Sequence, residues 1–213
     1  MIRLCRPRVA RVAMLSCLMV LASFTVRAQS ADKLKTVLAD PGTKAAAVDA
    51  GKKASFFCAN CHGVDGNSKM SEVPNLAGQN PIYLLNQVNK FYTGERKDQW
   101  MEPAIKLLNE SERLNIVAYF SAMHVVPASS GPGGEAGREI FQRVCVRCHG
   151  PQALGGERFP RLAGQQQTYI VRSLTRYRDR TGNRMEPEML AMTAALKDGD
   201  IKALAEYLSA LKY

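Results

Sequence analysis

An all-α architecture built from two tandem units is what this sequence predicts, and three observations carry the prediction. The chain repeats itself: CANCHG at 58–63 and PNLAGQ at 74–79 return as CVRCHG at 145–150 and PRLAGQ at 160–165, in the same order and 86 to 88 residues later. Apolar residues recur at helical spacing on several segments, and no stretch alternates apolar with polar residues as a half-buried strand would. Between the copies, Pro127 to Gly134 reads PASSGPGG, a polar, turn-rich run that carries no regular element.

The expected organisation follows. Residues 1–28 form an export segment, 29–126 the first unit, 127–134 the linker and 135–213 the second unit. In the first unit, helices are expected from Lys52 to Phe57, Ile82 to Phe91 and Ser111 to Met123, the last with Leu114, Val117, Ala118 and Ser121 on one stripe. Gly137 to Val144, Tyr169 to Tyr177 and Asp198 to Leu211 are their counterparts, and Ile201, Leu204, Leu208 and Leu211 line the final helix. Polar Gly, Asp and Asn segments such as GVDGN at 63–67 connect them. A helical unit of about 80 to 90 residues with long loops has a marginal core, so a large buried prosthetic group is expected as its staple.

The 213-residue chain has 46% hydrophobic and 23% charged residues, which excludes disordered and fibrous classes. Arg3, Arg6, Arg8 and Arg11 precede an uncharged, mainly apolar stretch from Ala13 to Val26, and Val26-Arg27-Ala28 suits cleavage before Gln29, the pattern of a secretory signal. A retained membrane anchor is the alternative. Removal takes away five arginines and no acidic group, halving the net charge from +10 to +5. It also removes Cys5 and Cys17, so the remaining cysteines, Cys58, Cys61, Cys145 and Cys148, all lie in the repeated motifs.

Cys-x-x-Cys-His is the attachment sequence of haem c: two thiols add to the porphyrin vinyl groups and the adjacent histidine reaches the iron. A disulfide or thioredoxin-like pair is one alternative, but it needs no histidine. Zinc is another, although each copy supplies only two thiols and one imidazole.

With these motifs the sequence resembles the class I cytochromes c, and more closely the two-haem cytochrome c4 family, over nearly all of residues 45–213. The resemblance implies two small helical haem pockets, two covalently bound haems c, and His62 and His149 as proximal iron ligands with a methionine sulfur opposite each. It also implies that the carbonyls of Pro74 and Pro160 accept a hydrogen bond from the proximal imidazoles. In the first copy Met101 is the expected ligand, ahead of a helix for which Asn109 is a suitable N-cap. Met70 lies only eight residues after His62, and Met123 suits a helix-end core position.

In the second copy, ungapped alignment of the final helices places Met189 opposite Met101, 40 residues after His149 against 39 after His62. Met185, which repeats the Met-Glu-Pro of Met101, is the rival, and Met192 is expected in the core. A thioether favours Fe(II), so His/Met ligation suits a positive-potential electron carrier.

Gly78 and Gly164 are expected to let backbone pass close to the porphyrin. Tyr83, Tyr169, Trp100 and Phe141 are expected to pack around it, and His124 to sit exposed at a helix end. The second half is the more basic, and Arg158, Arg161, Arg172, Arg176, Arg178, Arg180 and Arg184 could neutralise haem propionates or meet an acidic redox partner. Four propionates leave a nearly neutral holoprotein, which gives nucleic-acid binding little support. By resemblance the partners are a quinol-oxidising complex or dehydrogenase and a terminal oxidase, in the periplasm, with loose membrane association allowed. The alternatives are the cytochrome subunit of a dehydrogenase and a haem enzyme such as a peroxidase.

Overall fold

The computed structural model describes residues 29–129, 134–182 and 184–212, and no strand occurs among them. The expected export segment and the centre of the expected linker, 130–133, lie outside the described residues.

A helical stretch over residues 29–39, α1, opens the described chain. Helix α2 (Pro41–Ala54) starts where the Asp40 carboxylate accepts the Thr43 N–H at 2.8 Å, with proline in the first turn. Only the end of α2 was expected from the sequence, because its buried face is made of Ala47 and Gly51 and carries almost no apolar signal. Ser55 breaks the helix that was expected to run on to Phe57, and α3 (Phe56–His62) then holds the whole CANCH motif.

Helix α4 (Pro81–Thr93) stops at Gly94, followed by the short α5 (Met101–Lys106). Helix α6 (Glu110–Ala122) begins with a reciprocal cap: Asn109 accepts the Glu112 N–H at 3.0 Å while Glu112 accepts the Asn109 N–H at 2.9 Å. Its buried side is wider than the expected stripe, because α2 and α4 both pack on it. Ile116, Val117, Ala118, Tyr119 and Phe120 are buried there, whereas Leu114 and Ser121 are half-buried.

The second unit repeats the plan. Helix α7 (Glu135–Ile140) continues through a π-helical turn at Phe141–Cys145 into α8 (Val146–His149), so the motif is again helical. Then come α9 (Gln167–Arg178), α10 (Pro187–Thr193) and α11 (Asp198–Ala210), the last burying Ile201, Leu204 and Leu208 as expected.

Each unit is closed by a helix crossing at a glycine, α2 on α6 and α7 on α11. A Cβ on Gly51 would lie 2.0 Å from the Asn115 carbonyl oxygen, and one on Gly137 would lie 2.1 Å from that of Ala203. The first side-chain atoms met are the Cβ of Tyr119 and of Tyr207, residues 88 apart. Each crossing abuts its own apolar core, around Phe120 and Val117 in the first unit and Phe141 and Leu204 in the second.

Because the obstacle at both crossings is helix backbone, Gly51→Ala and Gly137→Ala should each destabilise the mature protein by about 1–3 kcal/mol. Denaturant unfolding of the purified variants reads this, and a change within ±0.5 kcal/mol at both would refute close packing at the crossings.

Candidate functional site

Each CxxCH histidine closes a short helix, and a glycine then turns the chain away, Gly63 at φ +81° and Gly150 at φ +75°. His62 and His149 are both buried, and each Nδ1–H donates to a backbone carbonyl, that of Pro74 at 2.9 Å and of Pro160 at 3.0 Å. A carbonyl only accepts, so the proton is fixed on Nδ1 and the Nε2 lone pair is left for a metal. Nε2 makes no hydrogen bond among the described residues. Burial holds both imidazoles below their ordinary pKa, outweighing the opposite pull of the proline carbonyls, and at His62 the Arg96 charge adds to the lowering. Both are neutral, the form in which imidazole ligates.

None of the four motif cysteines is paired in a disulfide, and burial raises the Cys58 thiol and pushes that of Cys145 up to about 11. In each unit the two sulfurs and the buried imidazole stand on one short helical run, which is the donor set that covalent haem requires. Among the described residues no group of three or more His, Cys, Asp and Glu is arranged to hold a metal ion by itself.

The proline carbonyls are held in place by the loop that carries them. Gly66 O accepts the N–H groups of Leu76 and Ala77 at 2.7 and 3.0 Å, and Ala153 O accepts those of Leu162 and Ala163 at 2.7 and 3.1 Å. Both carbonyl-bearing residues have positive φ, +77° at Gly66 and +56° at Ala153, so the second copy holds an alanine in a conformation that favours glycine. Gly78 N–H then reaches Phe120 O at 2.9 Å and Gly164 N–H reaches Leu208 O at 2.8 Å, tying each loop to its unit's last helix.

Met101 opens α5, half-buried against the first core, and Met189 lies half-buried in the first turn of α10. The register around them is shared. Leu108 N–H bonds Ile105 O at 3.1 Å and Leu196 N–H bonds Thr193 O at 3.0 Å, with Ile105 and Thr193 both buried. Asp200 accepts the Lys197 N–H at 2.9 Å as Glu112 accepts that of Asn109. Each of these pairs is 88 residues apart, as are Met101 and Met189. Met185 lies in the loop before α10, and Met185, Met192 and Met70 are exposed.

Trp100 is 75% exposed to protein-free space, ahead of α5 in a polar turn capped by Asp98. A Cβ on Gly164 would meet Val125 and Pro127 at the end of the first unit. Arg161 is fully buried between the units and spends its guanidinium on the carbonyls of Ala77 at 2.9 Å and Asn75 at 3.4 Å, with a further short bond to Ala163 O. Arg178 pairs with Asp179 and Asp198, Arg158 with Glu188, and Arg172 donates to Glu72 O. Phe141 is buried in the second apolar core, and His124 is exposed, as expected.

Arg184 is different. It donates to the hydroxyls of Tyr83 at 3.0 Å and Tyr169 at 3.3 Å, one from each unit, and lies 5.3 Å from the Tyr177 ring centroid. Its Nε and the Tyr177 hydroxyl are buried without a hydrogen-bond partner. Burial raises the Tyr83 hydroxyl; at Tyr169 burial acts the same way, but the Arg184 and Arg96 charges outweigh it and bring the group down to about 8. Such a cationic, under-satisfied pocket fits an anionic group, and haem propionates have that chemistry.

Twin helical lobes, each pairing two thiols with a neutral imidazole locked by a proline carbonyl, define the class: a tandem two-haem c-type cytochrome. The cytochrome c family profile matches residues 48–123 and again 134–212. Cytochrome c4 of Pseudomonas aeruginosa is 34% identical over 175 residues, 76% of this chain and 87% of that protein. The crystal structure of reduced recombinant cytochrome c4 from Pseudomonas stutzeri superposes with a TM-score of 0.71 at 31% identity, covering 78% of this chain and 98% of that one. A thiosulfate dehydrogenase electron acceptor of Stutzerimonas stutzeri is 30% identical over 171 residues, 73% of this chain and 79% of that protein. The chain belongs to the cytochrome c family, in its two-haem cytochrome c4 branch, carries two covalently bound haems c, and works as an electron carrier. Among the described residues no helix is long and apolar enough to cross a membrane.

If Arg184 holds its charge beside a redox group, removing the charge disfavours the added electron. Arg184→Leu should lower at least one midpoint potential, by an amount on the order of a tenfold change in the reduction equilibrium, about 59 mV for a one-electron couple, while Arg184→Lys retains most of it. Spectroelectrochemical titration checks this; unchanged potentials in the leucine variant would remove Arg184 from the haem environment.

Proposed function

We propose that Cys58 and Cys61 attach one haem and Cys145 and Cys148 the other, with His62 and Met101 ligating the first iron and His149 and Met189 the second. The observation that carries this reading is the twin Nδ1–H bond to Pro74 and Pro160, which leaves one lone pair per buried imidazole for a metal. The 88-residue register of α5 and α10 supports Met189 over Met185. Haem c bound at these positions supplies a reversible one-electron Fe(III)/Fe(II) couple. The residues do the rest: the imidazoles stay neutral, the proline carbonyls fix their tautomer, and a thioether on the opposite face favours the reduced state. If His62 with Met101 and His149 with Met189 hold the two irons, no position would be left for substrate, and the chain would transfer electrons without being an enzyme itself.

The first residues read as an export signal, and covalent haem in an exported chain supports a periplasmic carrier. There it takes single electrons from a quinol-oxidising complex and passes them to a terminal oxidase or another acceptor. Similarity to a thiosulfate dehydrogenase electron acceptor favours a second reading of the donor side, in which a dehydrogenase delivers the electrons. Purification of the tagged protein from its native membrane and periplasmic fractions separates the two: a quinol-oxidising complex or a dehydrogenase accompanies it and reduces it.

The alkaline pyridine spectrum of the mature protein should count two haems per chain. Met101→His and Met189→His should each lower one midpoint potential and remove about half of the thioether-to-ferric charge-transfer band, and Met185→Leu should leave the band whole. Loss of half the band in Met185→Leu, with none in Met189→His, would transfer the second ligand to Met185.

A further inference from the structure

The two peptide groups that receive the histidine protons are each held, at their other end, by the opposite unit. The Pro74–Asn75 peptide accepts from His62 through its carbonyl and donates its N–H to Gln165 Oε1 at 2.6 Å. The Pro160–Arg161 peptide accepts from His149 and donates its N–H to Gln79 Oε1 at 2.7 Å. Each glutamine completes a two-point bracket: Gln165 Nε2 donates to Asn75 O at 3.0 Å and Gln79 Nε2 to Arg161 O at 3.1 Å. Asn75, Gln79, Arg161 and Gln165 are at most 5% exposed, so water does not compete for these bonds.

A peptide group is a single conjugated unit, and an acceptor drawn onto its N–H shifts electron density to its carbonyl oxygen. In a buried chain of hydrogen bonds each bond therefore strengthens the next. The run from Gln165 Oε1 through the Asn75 N–H and the Pro74 carbonyl to the His62 Nδ1–H is such a chain, and so is its mirror from Gln79 to His149. A stronger acceptor on Nδ1–H makes the imidazole a more basic ligand, which stabilises the oxidised metal.

We propose that Gln79 and Gln165 are crossed positioning residues: the glutamine of each unit sets the basicity of the proximal histidine, and hence the reduction potential, in the other unit. This rests on the assignment of His62 and His149 as iron ligands. A purely structural role for the glutamines makes a different forecast, because loosening a shared boundary affects both sites alike.

The test uses the full-length, mature two-haem protein with Gln165→Leu, Gln79→Leu and Gln165→Glu. Each site's potential is followed by NMR through iron-shifted ring resonances of its own histidine during a redox titration. Gln165→Leu should raise the potential of the His62 site and move its Nδ1–H resonance, leaving the His149 site in place; Gln79→Leu should do the reverse. Gln165→Glu keeps an acceptor oxygen for the Asn75 N–H while losing the donor to Asn75 O, and it should not raise the His62 potential. Shifts in the glutamine's own unit, equal shifts at both sites, no shift, or a rise in Gln165→Glu matching that of Gln165→Leu would overturn the proposal. Absence of iron-shifted resonances from His62 and His149 in the parent protein is a separate failure, that of the ligand assignment.

Discussion

The bond between a buried imidazole N–H and a proline carbonyl is the constraint around which each unit is arranged. It has value only if the carbonyl cannot move, and the fold devotes most of its irregular backbone to that end. The loop hangs from one carbonyl at residue 66 or 153 and is tied by Gly78 or Gly164 to the last helix of its unit. That helix is in turn fixed by α2 or α7 at a crossing that admits only glycine. Crossing helix, last helix, loop and histidine thus form one continuous mechanical chain, built twice. Without such bracing an imidazole in a unit this small would sample several orientations, since helix packing over 80 to 90 residues leaves little stability in reserve.

The boundary between the units follows the same logic with polar groups. A buried amide left unpaired costs about 1–3 kcal/mol, so the side chains of Asn75, Gln79, Gln165 and Gln166 are tolerable there because each finds backbone or side-chain partners across the boundary. Apolar contact alone would let the units slide, whereas a two-point amide bracket fixes their register. Ion pairs contribute less. Lys35 and Glu157 are 50% and 63% exposed, the kind of pair worth at most about 1 kcal/mol, while Lys90 with Glu186 is more enclosed.

The repeat, the motifs and the main helices were legible because each leaves a period or a spacing in the residues. Asn109 reads as a cap in one dimension and is one in three. Helix α2 was nearly invisible, since an alanine and a glycine bury a face without raising its hydrophobicity. Gln79 and Gln165 stood in plain view as the last letters of each repeated hexapeptide, yet their role depends on residues 82 and 90 positions away, and no local pattern encodes that. Arg161 misled for a related reason. An arginine in a basic run suggests a surface, and only the assembled boundary reveals that its guanidinium is consumed by backbone carbonyls.

A one-electron carrier also has to change charge without rearranging its surroundings, and the choice of partners around the histidines serves that need. The group that accepts each imidazole N–H is backbone, and the side chain that holds the N–H of that same peptide is a neutral amide buried from water. Backbone dipoles fixed in advance answer a change of charge without reorienting, where mobile side chains or water would have to turn. A carboxylate in the same place would bind the N–H more tightly, but burying it unpaired would raise its pKa and make electron transfer drag a proton with it. Neutral carbonyls braced by neutral amides avoid both costs. They hold the ligand as firmly as the fold allows, and they let a site be tuned through the chain of peptide dipoles without introducing a group that titrates.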